Sequence, residues 1–496
     1  MSKSPAMGVM GAAEPPEGDI VDNPRTWSES KKLLAVLGGI LASFAAVFGT
    51  SVYVASVPGV VEEYGVSETL AISLVSIYSL GQVIGPAITT ASSELFGRRR
   101  VLQLSILSAL VLTVGSACAQ TFRSLAVLRF LASLAISPCP SFALSVINDL
   151  WDVESSKAGS SVVLLAAMAT IIPAALGMVC GAPLVAVRDW RWTFWLTAIL
   201  LGAALLAVLP IPETFAPQIV RQRARKESNE APTRGSWKEL AWALFARPIH
   251  MLLVEPVIFP TALVSAIAQG VVFCLYAAYP LILSTAYSFN LAQIGLSFLP
   301  MFVGNVLAVP VLGIIDRSTA VREHFSATDA VGSTLLPERR LGGAILGGIL
   351  MPISLFWGGW TARQDIHWIV PLLSGLLFGM SYTLILISYA IYKNDIYGAE
   401  FGASAFSAEV MMRYVLSAPV PLFTVHMVNR IGFGWSMTLM GLICAVLIPI
   451  PWIFMYHGAR LRRRSRFVLH EGCRDTTPGV TCQGPHSLRD VQGAEG

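Results

Sequence analysis

The sequence predicts an all-α membrane protein of twelve transmembrane helices arranged as two six-helix halves. Three observations predict it. Only 13% of the 496 residues are charged while 54% are hydrophobic, against about a quarter charged in an ordinary soluble domain. The apolar residues come in blocks of about 20, the length that crosses roughly 30 Å of hydrocarbon as helix. Lysine and arginine alternate between loops, with 27 on one side of the predicted spans and 5 on the other. That imbalance places both termini in the cytosol, because retained loops carry the positive charge.

Residues 1–32 are rich in Pro, Gly, Ala and acids and read as a disordered cytosolic tail without a cleaved signal peptide. Apolar runs then fall at 33–58, 69–91, 101–119, 125–149, 158–182 and 193–210, forming an N-terminal bundle over 33–210. The basic stretch 211–248, with Arg221, Arg223, Arg225 and Lys226, is a cytosolic linker. Six more runs at 249–280, 291–315, 341–362, 367–391, 403–428 and 435–456 form a C-terminal bundle over 249–456, and 457–496 is a polar cytosolic tail. Pro256 and Pro260 inside the seventh run leave its continuity open. Trp190, Trp192, Trp195, Trp360, Trp368 and Trp435 lie at run edges, where amphipathic rings sit at a membrane interface.

Other classes find little support. Seven histidines lack HxxxH or HExxH spacing, so no metal or catalytic site is expected. Seven cysteines lack CxxC spacing, and five lie inside apolar runs as small packing residues. A net charge of +4 without aromatic interleaving gives no nucleic-acid surface. The sequence has no GxxxxGK[ST] phosphate loop, so no nucleotide cofactor is expected and motive force comes from a gradient.

Candidate functional residues are the polar ones that the apolar background does not explain. Between the second and third runs the chain passes from Gly85 through Glu94 to Gly97, Arg98 and Arg99. An acid at a helix end, a turn glycine and a basic cluster can exchange charge-assisted bonds and lock a gate. The plainer reading is a positive loop. Arg129 lies inside the fourth run, where a charge costs several kcal/mol unless it faces a cavity, a partner or the interface. Glu409 and Arg413 are four apart on the eleventh run, so they either neutralise each other or line a cavity. Glu255 precedes Pro256 and either organises that helix end or carries a proton. Tyr53 and Tyr276 are candidates to stack on a substrate or to pack against lipid.

The string Gly85 to Arg99 resembles the loop 2-3 motif of the major facilitator superfamily, with Leu95 in place of its first basic residue. Gly313, Asp316 and Arg317 form a shorter echo in the second half, in keeping with the parallel repeat of that fold. The segments Asp22 to Trp27, Ser93 to Arg99, Arg188 to Trp195, Pro212 to Thr214, Leu253 to Pro256, Pro337 to Leu341 and Leu355 to Thr361 resemble the fungal twelve-span drug:proton antiporter branch. The resemblance implies a monomeric plasma-membrane exporter that exchanges protons for a drug, toxin or secondary metabolite. It further implies that Arg129 biases a neighbouring carboxylate and that Asp149 pairs with the loop 2-3 arginines. The glycines of the family's fifth-span motif are thinned to Gly177 and Gly181. Uptake of a nutrient, or a non-transporting sensor, are therefore the alternatives.

Overall fold

A computed structural model describes residues 24–151, 157–214, 247–324 and 337–465. It is helical throughout these residues, apart from short turns. The helices are α1 (Glu29–Val54), α2 (Val57–Tyr64), α3 (Glu68–Phe96), α4 (Arg98–Ala117), α5 (Phe122–Ile136), α6 (Cys139–Leu150), α7 (Lys157–Val187) and α8 (Trp192–Val208). After the linker come α9 (Arg247–Val254), α10 (Ile258–Tyr287), α11 (Leu291–Leu296), α12 (Leu299–His324), α13 (Gly342–Thr361), α14 (Ile369–Ser417), α15 (Val420–Leu447) and α16 (Pro449–Arg464).

Several predicted runs are broken rather than continuous, and proline explains most of the breaks. A proline lacks the N–H that would bond one turn back and its ring crowds that turn. Pro138 and Pro140 separate α5 from α6, Pro256 separates α9 from α10, and Pro419 separates α14 from α15. Inside α15, Gly432 sits at φ 81° and turns the chain between the eleventh and twelfth crossings, a conformation that only glycine adopts without a Cβ penalty.

The tenth crossing and the first part of the eleventh are contained in α14, and the eleventh continues past Pro419 into α15. Lys393 of α14 pairs with Glu409, sixteen residues further on, whereas a straight helix would separate them by about 24 Å. The path therefore folds back between the apolar stretches that end at Tyr397 and begin at Ser404. Among the described residues ten segments are long and apolar enough to cross a bilayer. The last, Ser404–Gly458, has 55 residues and accommodates two crossings, and the 17-residue α8 is shorter but as apolar. Together they make the twelve that the sequence predicts, and an even number leaves Pro24 and Ser465, the first and last described residues, on one face, the terminal face.

The first six crossings pack on one another through α1, α7 and α8 and through α3, α4 and α5. The second six pack through α10, α12, α13, α14 and α15. The halves meet where α7 packs on α11 and α12 and where α3 packs on α14 and α15. A single apolar core runs across that junction, from Tyr53 and Met178 to Tyr276, Phe298, Tyr382 and Tyr414. Outward, Leu104, Val111, Ile199, Leu206 and Val446 are more than half exposed. Such residues meet lipid tails in a membrane protein, so their exposure carries no hydrophobic cost there.

Candidate functional site

On the terminal face the first half is tied by Arg98, whose Nη1 lies 2.9 Å from Asp149 Oδ2. Gly97 at φ 86° ends the turn and starts α4. The free amides of Arg98 and Arg99 then donate to the carboxylate of Glu213 at 2.9 and 3.3 Å. An anion at a helix N-terminus is favoured by the helix dipole and satisfies orphan donors. The Arg99 guanidinium donates to the carbonyl of Leu209 at 3.1 Å. The charge partner of Asp149 is thus Arg98. Gly85 is buried, and a Cβ there would lie 1.3 Å from Ser137 Oγ, so this glycine holds α3 against the break between α5 and α6. The Glu94 side chain lies outside the described residues.

The second half repeats the arrangement with different arginines. Asp316, at the end of the eighth crossing, accepts from Arg340 at 3.1 Å, and Asp395, at the end of the tenth, lies 3.4 Å from the same guanidinium. Arg317, singled out from the sequence, is exposed. Glu338 pairs with Arg462 of α16. Glu255 is buried and accepts from the hydroxyls of Tyr397 at 2.9 Å and Ser465 at 2.5 Å. These bonds tie the break between α9 and α10 to Tyr397 of α14 and to Ser465, the last described residue.

Deeper in the first half, Arg129 is 2% exposed, which rules out a side chain reaching for the interface. It donates to the carbonyls of Leu74 and Gly49 at 3.4 Å. Its guanidinium lies 3.9 Å from the ring centre of Tyr53, 4.9 Å from that of Tyr78 and 5.4 Å from that of Phe194. Aromatic faces supply the negative potential, and no carboxylate partner occurs among the described residues. A cavity of about 10 Å³ adjoins this cage, lined in part by Thr113, Ser116 and Thr197.

In the second half Glu409 and Arg413 do not simply neutralise each other. Glu409 pairs with Lys393, and both are 2% exposed. Arg413, 8% exposed, lies 5.5 Å from the ring centre of Tyr414. Lys393 had the look of a loop residue because the fold-back puts the helix end several residues later than the apolar run suggests. The two tyrosines named as stacking candidates are fully buried. Tyr53 donates to the carbonyl of Ala71 at 2.9 Å, and Tyr276 donates across the junction of the halves to the carbonyl of Ala174 at 2.5 Å. Among the described residues no group of His, Cys, Asp and Glu is placed to hold a metal.

On the opposite face Glu63 of α2 accepts both guanidinium nitrogens of Arg191 and the indole N–H of Trp190 at 2.8 Å. The hydrogen bonds from Arg191 hold the Glu63 carboxyl below the usual carboxylate range, and the arginine is raised in return. Glu213 stands out in the sequence only as part of the Pro212 to Thr214 string, without a role, and Glu63, one of two adjacent acids in α2, does not stand out at all.

A two-halved helical bundle with repeated charge locks at one end narrows the fold, and a family comparison decides it. The model for the Major Facilitator Superfamily matches residues 39–421. The chain belongs to the Major Facilitator Superfamily. Among relatives of this superfamily chain, Polyamine transporter 4 of Saccharomyces cerevisiae is 32% identical over 482 residues, spanning 90% of this chain and 72% of its own. Efflux pump FUBT of Fusarium oxysporum is 30% identical over 462 residues, spanning 90% and 76%. A D-xylose-proton symporter structure superposes with a TM-score of 0.63 over 88% of this chain and 98% of its own, at 18% identity. This last likeness bears on the fold alone. The superfamily chain is therefore a multi-pass membrane transporter and not an enzyme.

Proposed function

We propose that this transporter exports a small organic compound from the cytosol by alternating access, with protons moving inward to drive it. The observation that carries the reading is the doubled lock on the terminal face, Arg98 with Asp149 in one half and Arg340 with Asp316 and Asp395 in the other. Locks repeated in both halves hold one end of a central path shut until the halves rock apart. The loop charge bias supports a cytosolic terminal face, and the name of the Fusarium oxysporum relative, an efflux pump, supports export. The protein works as a monomer in the plasma membrane.

Each bound species shifts the balance of inward-open and outward-open forms by no more than its difference in affinity for the two. Cargo and proton therefore compete for one path. The test is accumulation of fluorescent and toxic compounds in cells with and without the chain, with and without a protonophore. Lower accumulation that the protonophore restores is the expected result. Higher accumulation in expressing cells would favour the uptake reading, and no effect on any compound would favour a sensor.

A further inference from the structure

The charges buried at membrane depth are unevenly signed. Among the described residues of the spans, Arg129, Lys393 and Arg413 are buried cations and Glu409 is a buried acid. Glu409 is already taken by Lys393. Glu255 is the other buried acid, but it lies at the terminal face, engaged with Tyr397 and Ser465. Three buried cations thus face one buried acid: Glu409 bonds Lys393 and also acts on Arg413 four residues on, and Arg129 has no carboxylate beside it among the described residues. Burying an ion costs far more than burying a neutral polar group, so a chain that keeps such groups in its core has a use for them.

Arg413 shows what that use is. Its Nε is buried and has no acceptor, and the Oγ of Ser417, itself fully buried, also has no partner. The two residues are four apart, so they stand one above the other on one face of the helix. Two unsatisfied donors on one face, one of them charged, match an oxyanion, which offers several lone pairs and takes charge-assisted bonds from arginine. Rings surround the position. Tyr414 adjoins Arg413, Tyr382 and Tyr276 lie in the same core, and Tyr78 extends it to the cage around Arg129 in the other half.

We infer that the face of α14 bearing Arg413 and Ser417 receives the anionic oxygens of the cargo, and that the cargo is an organic anion with an apolar or aromatic body. The inference rests on the transport reading and narrows it. A polyamine would need acids where this chain has cations, so the cargo of this protein differs in charge from that named for its Saccharomyces cerevisiae relative. The acceptor reaches Arg413 when the halves part; the cavities of about 20 and 10 Å³ seen among the described residues lie inside the second and the first half, not between them.

The test uses the purified full chain in proteoliposomes and in detergent. Naphthalene-2-sulfonate, naphthalene-2-carboxylate and benzoate are each compared with their amides, with naphthylmethylamine and with spermidine. The anions are expected to stabilise the protein against heat and to be carried, and the amides and amines are not. Arg413→Gln is expected to weaken anion binding about tenfold, with Arg413→Lys recovering part of it and Ser417→Ala causing a smaller loss. If Arg413→Gln does not fold, Ser417→Ala alone must weaken the anions and leave the amides unmoved. Equal or better binding of amides or amines, or no binding of any anion, overturns the proposal. Flux of spermidine alone would overturn it while leaving the transport reading standing, and flux of nothing would count against both.

Discussion

At the residue scale, the charge pairs at the two faces have different tasks, and substitutions separate them. Arg98→Glu faces Asp149 with a like charge and should abolish efflux with insertion unchanged, measured as surface expression against transport. Arg99→Glu should do much less, because its partner is a carbonyl. The exchange Arg98→Asp with Asp149→Arg should recover activity if the pair itself matters. On the other face, Glu63→Gln removes a two-pronged ion pair that is partly exposed, so it should cost only about 0.5–1 kcal/mol after solvent screening. The sign with pH follows from the depressed Glu63 carboxyl. Its stabilisation is present above the ordinary carboxylate range and is lost as pH falls through the lowered folded value. Thermal melts should thus separate wild type from Glu63→Gln at neutral pH and converge in strong acid.

At the scale of helices, the sequence made the crossings legible and left their interruptions obscure. A run of 20 apolar residues announces a span because bilayer thickness demands it. Proline marks a bend less surely, since Pro183, Pro280 and Pro310 lie inside continuous helices, so the break at Pro138 and Pro140 was not foreseen and the fold-back inside α14 hid Lys393 in a supposed loop. The loop glycine and arginine pattern pointed to Arg98 and Asp149, but the partner of Asp316 could not be read because Arg340 lies across a 3-10 turn far along the chain. The capping role of Glu213 was not legible for a related reason, since it lies in the stretch after α8, more than a hundred residues from the α4 end it caps, and leaves no local pattern. The junction of halves makes its own prediction. A Cβ on Gly295 would lie 2.4 Å from that of Ala182 and 2.6 Å from the carbonyl oxygen of Met178. Gly295→Leu should therefore prevent α11 from seating on α7, cutting transport at least tenfold while the protein still reaches the membrane. Reaction of an impermeant thiol reagent with a cysteine placed at Ala182 should rise in that variant.

At the scale of the whole molecule, two bundles sharing one uninterrupted core describe a closed form of a device that must open. The core between them contains tyrosines whose hydroxyls bond to backbone carbonyls, as Tyr276 does to Ala174. Such contacts can be exchanged for water or cargo at modest net cost, since a hydrogen bond contributes only about 1 kcal/mol net. Tyr276→Phe should thus speed opening on that side more than it lowers the melting temperature. Cysteines placed at residues 220 and 470 should label only from the cytosol, and one at residue 120 only from outside. The opposite pattern would reverse the assigned direction of transport.

The cap that Glu213 places on α4 reaches beyond the gate. It staples the exit of the sixth crossing to the entrance of the third, so the connecting strand leaves the first bundle from a fixed post rather than from a loose end. A chain cut in two after residue 220 and produced as separate fragments should consequently reassemble into a working pair, and Glu213→Ala should abolish that complementation while sparing the intact chain.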